Sequence, residues 1–158
     1  MDGKPLYELG LKICSESPQY MLDTRADIVF NLANVASETN NFPGTLEYVK
    51  EHLDLRLRLD EGKLLPSADT GIAYSSLGLG LLLTGNYEEA VRQCDISIEI
   101  YSQQPDTLDG SFYPTFPHIH RAMALTGAGR PQDAEQGLLG IIQWREAQYG
   151  PDDTESFK

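Results

Sequence analysis

Tyr74-Ser75-Ser76-Leu77-Gly78-Leu79-Gly80-Leu81-Leu82-Leu83-Thr84-Gly85-Asn86-Tyr87-Glu88-Glu89-Ala90-Val91-Arg92-Gln93-Cys94 is the stretch that decides the fold. It contains a helix with Tyr74, Leu77, Gly78 and Leu81 at helical spacing, a Gly85-Asn86 turn, and a second helix carrying Ala90 and Cys94. Two antiparallel helices approach closely only where their side chains are small, which is what Gly78 supplies on the first and Ala90 on the second. Gly85 tolerates the left-handed backbone that closes a helix. Glu88 and Glu89 fall in the first turn of the next helix, where carboxylates complement the helix dipole.

The chain laid on itself repeats this pattern. A shift of 45 residues towards the amino terminus gives Val29, Leu32-Ala33 and Ala36, then Asn40-Asn41-Phe42-Pro43, Thr45 and Val49. A shift of 44 the other way gives His118, Arg121-Ala122 and Leu125, then Gly129-Arg130-Pro131, Ala134 and Leu138. The outer copies are degraded: Thr45 stands in the place of the packing alanine, and Arg121 in that of Leu77. Asn40 and Gly129 fill the turn position, and Pro43 and Pro131 fall in the first turn of the second helix, where a missing N–H does no harm. Three copies at nearly constant spacing carry a weight that none has alone.

Periodicity agrees. Tyr87, Ala90, Val91, Cys94, Ile98 and Tyr101 share one helical face, as do Ala134, Leu138, Ile141, Ile142 and Arg145. The segment from His52 to Leu59 alternates strictly, as a strand would. It also carries two helical stripes, Leu46-Val49-Leu53-Leu57 and Tyr48-His52-Leu55-Leu59. The repeat alignment decides for a helix sandwiched between two neighbours.

The pattern resembles the tetratricopeptide repeat, with its aromatic residue, Leu-Gly pair, large residue, and later alanine with a bulky residue four further on. The usual repeat is about 34 residues; the surplus here falls in Asp60 to Pro66 and Pro105 to Pro117. Elongated repeats of this kind are similar to those of kinesin light chains and of arrays ending fungal NLR-like regulators, where a junction like Tyr149-Gly150-Pro151-Asp152-Asp153-Thr154-Glu155-Ser156 is familiar. The resemblance covers roughly residues 22 to 158. It implies an all-α fold, a right-handed solenoid of antiparallel helix pairs with about seven helices in a single domain, 1–158. Repeats are expected at 22–60, 67–104 and 115–149, with partial repeats at 4–16 and 152–158. In the first of these, Leu6, Leu9, Ile13 and Cys14 suit the second helix of a repeat whose first is absent. Solenoid ends need polar caps, and neither end carries one convincingly. An excerpt of a longer array, or ends covered by self-association, is the expectation.

Composition limits the partners. Twelve basic against 24 acidic residues give a formal charge of −12, which repels phosphate backbones and anionic lipid surfaces. The same acidity also serves simple solubility. Hydrophobic and charged shares of 41% and 23% are those of a soluble globular protein. Cys14 and Cys94 form neither a disulfide framework nor a metal knuckle, and with no secretory signal visible a cytoplasmic location is expected. Gly71 to Leu83, the most apolar stretch, is too short to span a bilayer.

By resemblance, the first helices of successive repeats line a concave groove in which partner peptides lie. The groove positions are then Phe30, Asn31 and Asn34; Ser75, Ser76 and Leu79; and Ile119, His120 and Met123. Asparagine amides can bond both N–H and C=O of an extended peptide, which singles out Asn31 and Asn34, although both also suit a solvent-facing helix. Relatives that clamp a terminal carboxylate use a set of lysine, arginine and asparagine residues, and these groove positions hold no lysine or arginine. A neutral or basic peptide with apolar anchors against Phe30, Leu79 and Met123 fits better than an acidic tail.

Catalytic signatures are missing: no Gly-x-Ser-x-Gly, phosphate-cradling loop or His-Glu-x-x-His is present. His118-Ile119-His120 could ligate a metal from a strand, but on a helix the two rings diverge by roughly 200°. Cys94, on a core-facing stripe, suits a buried thiol. No cofactor or metal is expected. The expected role is a protein-binding scaffold, an adaptor or the sensor segment of a larger regulator. The alternatives are a small helical enzyme or ligand-binding protein using a pocket around Asn34, Tyr113 and His120, and a structural spacer.

Overall fold

The structure, a computed structural model, describes residues 3–16, 21–104 and 113–150. They form α1 (Lys4–Glu16), α2 (Leu22–Glu38), α3 (Phe42–Leu59), α4 (Ala68–Leu83), α5 (Tyr87–Ser102), α6 (Phe116–Gly127) and α7 (Pro131–Tyr149), with a 3-10 turn at Tyr113–Thr115 leading into α6. No strand occurs among the described residues. Each helix packs on the next in sequence, and α4 also packs on α6, past the intervening α5. The pairs α2–α3, α4–α5 and α6–α7 thereby stack into a right-handed solenoid of antiparallel helix pairs.

The turns within the three pairs repeat one geometry. Asn40, Gly85 and Gly129 have φ of 59°, 82° and 80°. The residue after each returns its N–H to a carbonyl of the finished helix: Asn41 to Ala36, Asn86 to Leu81 and Arg130 to Leu125, all at 2.8 Å. This is a Schellman closure, which satisfies carbonyls that the helix end would otherwise orphan. Asn41 then caps α3, its side-chain oxygen accepting the Gly44 N–H at 3.1 Å.

Small residues set the helix separation. A Cβ on Gly78 would lie 2.5 Å from Sγ of Cys94, and Ala90 is wholly buried beside it. The main core joins Ala33, Leu77, Leu81, Ala90, Ala122, Leu125 and Ala134 from all three pairs. Thr45 is buried in its alanine slot, and its hydroxyl donates back to the Asn41 carbonyl at 3.0 Å, so no polar group is stranded. Arg121, in the leucine slot, instead spans to α5 and donates from Nε to Asp95 at 2.7 Å.

The alternating segment is helical, and both stripes of α3 are used. Leu46, Val49 and Leu53 join the main core, while Tyr48, Leu55 and Leu59 join a second cluster with Ala26 and Val29 of α2. Leu57, at the end of the first stripe, is exposed. α1 departs from the expected stripe. Leu6 and Leu9 face outward, while Leu11 packs on the α2 cluster and Gly10 lies against Ile28. The face turned to α2 runs through Gly10 and Leu11, which at 100° per residue carries Leu9 away from it, while Leu6, one turn before Gly10, is exposed near the start of the helix. The side chains of Ile13 and Cys14, and the partial repeat at 152–158, lie outside the described residues.

The first inter-repeat connection is held by Asp60. Its carboxylate accepts from the Ser67 N–H at 2.9 Å, the Thr70 hydroxyl and Lys63 Nζ. Burial pushes its pKa up, but these hydrogen bonds prevail and hold it below the usual carboxylate value. The connection at 105–112 lies outside the described residues. No helix among the described residues is long and apolar enough to cross a membrane.

Candidate peptide-binding groove

The face built by α2, α4 and α6 holds a cavity of about 220 Å³. α2 contributes Phe30 and Asn34, and α4 contributes Ile72, Ser75, Ser76 and Leu79. Phe116 and His120 come from α6, and Tyr101 from α5. Six of the nine expected groove residues are thus brought together: Phe30, Asn34, Ser75, Ser76, Leu79 and His120. Asn31 does not line this cavity, and its Nδ2 donates to the Asp27 carbonyl of its own helix at 2.8 Å. Ile119 is half-buried and Met123 exposed, and neither lines it.

His120 is fixed by its neighbours. Its Nδ1 lies 3.1 Å from the Ser75 carbonyl oxygen and 3.1 Å from Ser75 Oγ. Donation to the carbonyl places the proton on Nδ1 and leaves Nε2 as an acceptor. Burial lowers the ring's pKa, against the opposing pull of that carbonyl, so the imidazole is neutral near pH 7. The Phe116 ring stacks on it, with centroids 6.2 Å apart.

A second cavity of about 160 Å³ adjoins the first, sharing Phe30 and Ile72 as walls. Asp27, His52, Arg56 and Asp69 complete it. Arg56 is buried, donating to Asp23 at 2.7 Å, to Asp27 at 2.8 Å and from Nε to His52 Nε2 at 3.4 Å. This is the basic residue that the groove positions lacked, but its guanidinium is committed to two carboxylates of α2. Burial and the Arg56 charge lower the His52 pKa to about 4. The ring is therefore neutral, and since Nε2 accepts from Arg56, the proton sits on Nδ1.

Ile72 and Phe116 were not among the expected groove residues, yet the signal was present: they and Asp27 are related by the same shifts of 45 and 44, one turn before the expected positions. Tyr101, His52 and Arg56 enter from second helices, which the repeat frame does not place in the groove. A third cavity, of about 710 Å³, lies between α5, α6 and α7 and includes Ile98, His118, Arg121, Ile141 and Trp144. Gly137 and Gly140 of α7 also line it, and a Cβ added at Gly140 would meet nothing within 4 Å. His118 and His120 thus face different cavities on different sides of α6. No group of three or more potential metal ligands occurs among the described residues.

Cys94 is buried, and burial with the nearby Asp95 charge, against the pull of Arg121, pushes its thiol up to about 12. Such a thiol is inert.

No family model matches the chain, and no curated protein matches it in sequence. Among solved structures, the chain is similar to BtubC (BKLC) from P. vanneervenii, a bacterial kinesin light chain-like TPR protein. The TM-score is 0.78 at 25% sequence identity, over 91% of this chain and 56% of that one. The chain therefore spans little more than half the length of the protein it matches. The fold is that of a TPR-like helical repeat solenoid.

Proposed function

We propose that the chain is a protein-interaction scaffold that holds an extended peptide in the groove along α2, α4 and α6. The observation that carries this reading is the apolar cavity framed by three successive first helices, with Phe30, Leu79 and Phe116 as walls and Asn34, Ser76 and His120 as polar groups beside them. Pockets for alternate side chains, with polar groups that can meet a peptide backbone, are what recognition of an extended segment requires. The described lining of the groove cavity holds one neutral imidazole, that of His120, and no carboxylate.

Panning a random peptide display library against the purified chain tests the reading. The enriched peptides should lose binding to a Leu79→Arg variant whose circular dichroism matches the parent. Enriched peptides indifferent to Leu79→Arg, or no enrichment at all, would overturn it.

A further inference from the structure

The cavity between α5, α6 and α7 lies on another side of α6 from the groove, and its volume of about 710 Å³ is within the roughly 300–1,000 Å³ of small-ligand sites. Ile98, Tyr101, Ile141 and Trp144 give it apolar and aromatic walls. Three other lining residues break the repeat. Arg121 stands where the frame puts Leu32 and Leu77; Gly137 and Gly140 stand where α5 has Gln93 and Ile96 and α3 has Tyr48 and Glu51. Glycine inside a helix is unfavourable, and packing within the chain requires it at neither position. A Cβ at Gly140 would meet nothing within 4 Å, and one at Gly137 would meet only Arg121 Nη1, at an ordinary 3.7 Å. The two glycines bare α7 backbone on the cavity wall beside the guanidinium. Breaches of a local rule that converge on one space mark a functional site. Arg121 donates from Nε to Asp95 at 2.7 Å, and neither of its Nη groups bonds a described residue. His118 lines the same cavity, and burial and the Arg121 charge, against the pull of Asp95, lower its pKa and keep the ring neutral near pH 7.

We propose that this cavity is a second binding site, for a small organic acid with a flat aromatic body, whose carboxylate accepts from the Nη groups of Arg121. The site is independent of the groove reading above. A guanidinium bonded through Nε still presents Nη donors in a planar fork that matches the two oxygens of a carboxylate. Asp95 holds that fork in place, so little side-chain freedom is lost on binding. Of the two charges Arg121 is the more enclosed, 31% exposed against 53% for Asp95, so the charge facing the interior is the positive one. An aromatic ring suits the walls, because Tyr101 and Trp144 offer ring surfaces. Only glycine lets such a ring approach the backbone of α7 closely.

The chain's one tryptophan, Trp144, lines the cavity, so its single indole N–H resonance reports occupancy. Titration of 2-naphthoate into the whole isotope-labelled chain should shift that resonance saturably, with half-saturation below about 1 mM. The amide 2-naphthamide and the cation 2-naphthylmethylamine keep the rings and should bind about tenfold more weakly. Arg121→Leu restores the residue type that the repeat frame expects, and should bring the acid down to the level of the amide. Gly140→Leu fills open space and favours the helix, so it should fold as the parent does and abolish the shift. Leu79→Arg, altered only in the groove, should bind 2-naphthoate as the parent does. No saturable shift, or amide or amine binding as tightly as the acid, would overturn the proposal. So would acid binding that survives Gly140→Leu or Arg121→Leu unchanged. Loss of 2-naphthoate binding in Leu79→Arg would overturn it too, by placing the probe in the groove.

Discussion

His52 shows how one buried residue ties the stability of the fold to pH. On sequence it is one member of an apolar-looking stripe, and nothing there says that it is neutral and fully enclosed. In the fold it lies tilted against Phe30, with ring centroids 5.1 Å apart, and accepts from Arg56. Burial first, and the Arg56 charge second, hold its pKa at about 4, below the 6.5 of the free ring. Between those two values the unfolded chain binds a proton that the folded chain refuses. Stability therefore rises with pH across that window, is complete above about 6.5, and falls as the pH drops towards 4. At 1.36 kcal/mol per pH unit the loss near pH 4 is about 3 kcal/mol. His52→Gln keeps an acceptor for Arg56 and cannot titrate. We expect urea denaturation to show a stability gap between pH 7 and pH 4.5 that is smaller in the variant by about 2 kcal/mol. Parallel pH profiles for the two proteins would mean that His52 is hydrated in the native state.

Among the elements, the contact between α4 and α5 is the tightest test of the repeat frame. Gly78→Ala gains about 1 kcal/mol of intrinsic helix propensity, but its new methyl would sit 2.5 Å from Cys94 Sγ and 3.4 Å from the Ala90 carbonyl. Overpacking of this sort costs about 1–3 kcal/mol, so a net loss is expected in thermal or denaturant melts. Cys94→Ala alone leaves a small void. Combined with Gly78→Ala it removes the clash, so the double variant should be more stable than the sum of the single losses, the mark of direct contact. Strict additivity would place Gly78 away from Cys94. The glycine and the cysteine were both legible in sequence, because a repeat projects the same crossing point three times and one clear copy interprets the others. The rotation of α1 on α2 was not legible, because α1 has no second copy to fix it. For Arg121 the Asp95 partner was hidden, because ion pairs across helices leave no periodic trace. The groove was legible only as far as first helices build it. Tyr101, His52 and Arg56 reach it from second helices by side-chain length, which spacing does not encode.

For the whole molecule, the consequence of a stacked architecture is that each helix pair leans only on its neighbours. Contacts run from each helix to the next and from α4 to α6, so the α4–α5 pair is braced on both sides while α6–α7 has one described neighbour. Stability in such a stack is a sum of pair terms and interface terms, and opening begins at the ends. Two alanines in equivalent slots make this measurable: Ala90, wholly buried on α5, and Ala134, nearly so on α7. Leucine at either overpacks a helix crossing, at about 1–3 kcal/mol. The same local cost should spread differently. Native-state hydrogen exchange should show Ala134→Leu lowering protection in α6 and α7 while α2 and α3 keep theirs. Ala90→Leu should lower protection in α4 and α5 and in both flanking pairs, because it weakens the segment that couples them. If Ala134→Leu instead lowered protection equally from α2 to α7, the chain would unfold as one cooperative block. The main core, which joins residues of all three pairs through Leu77, Leu81 and Leu125, would then outweigh the linear stacking.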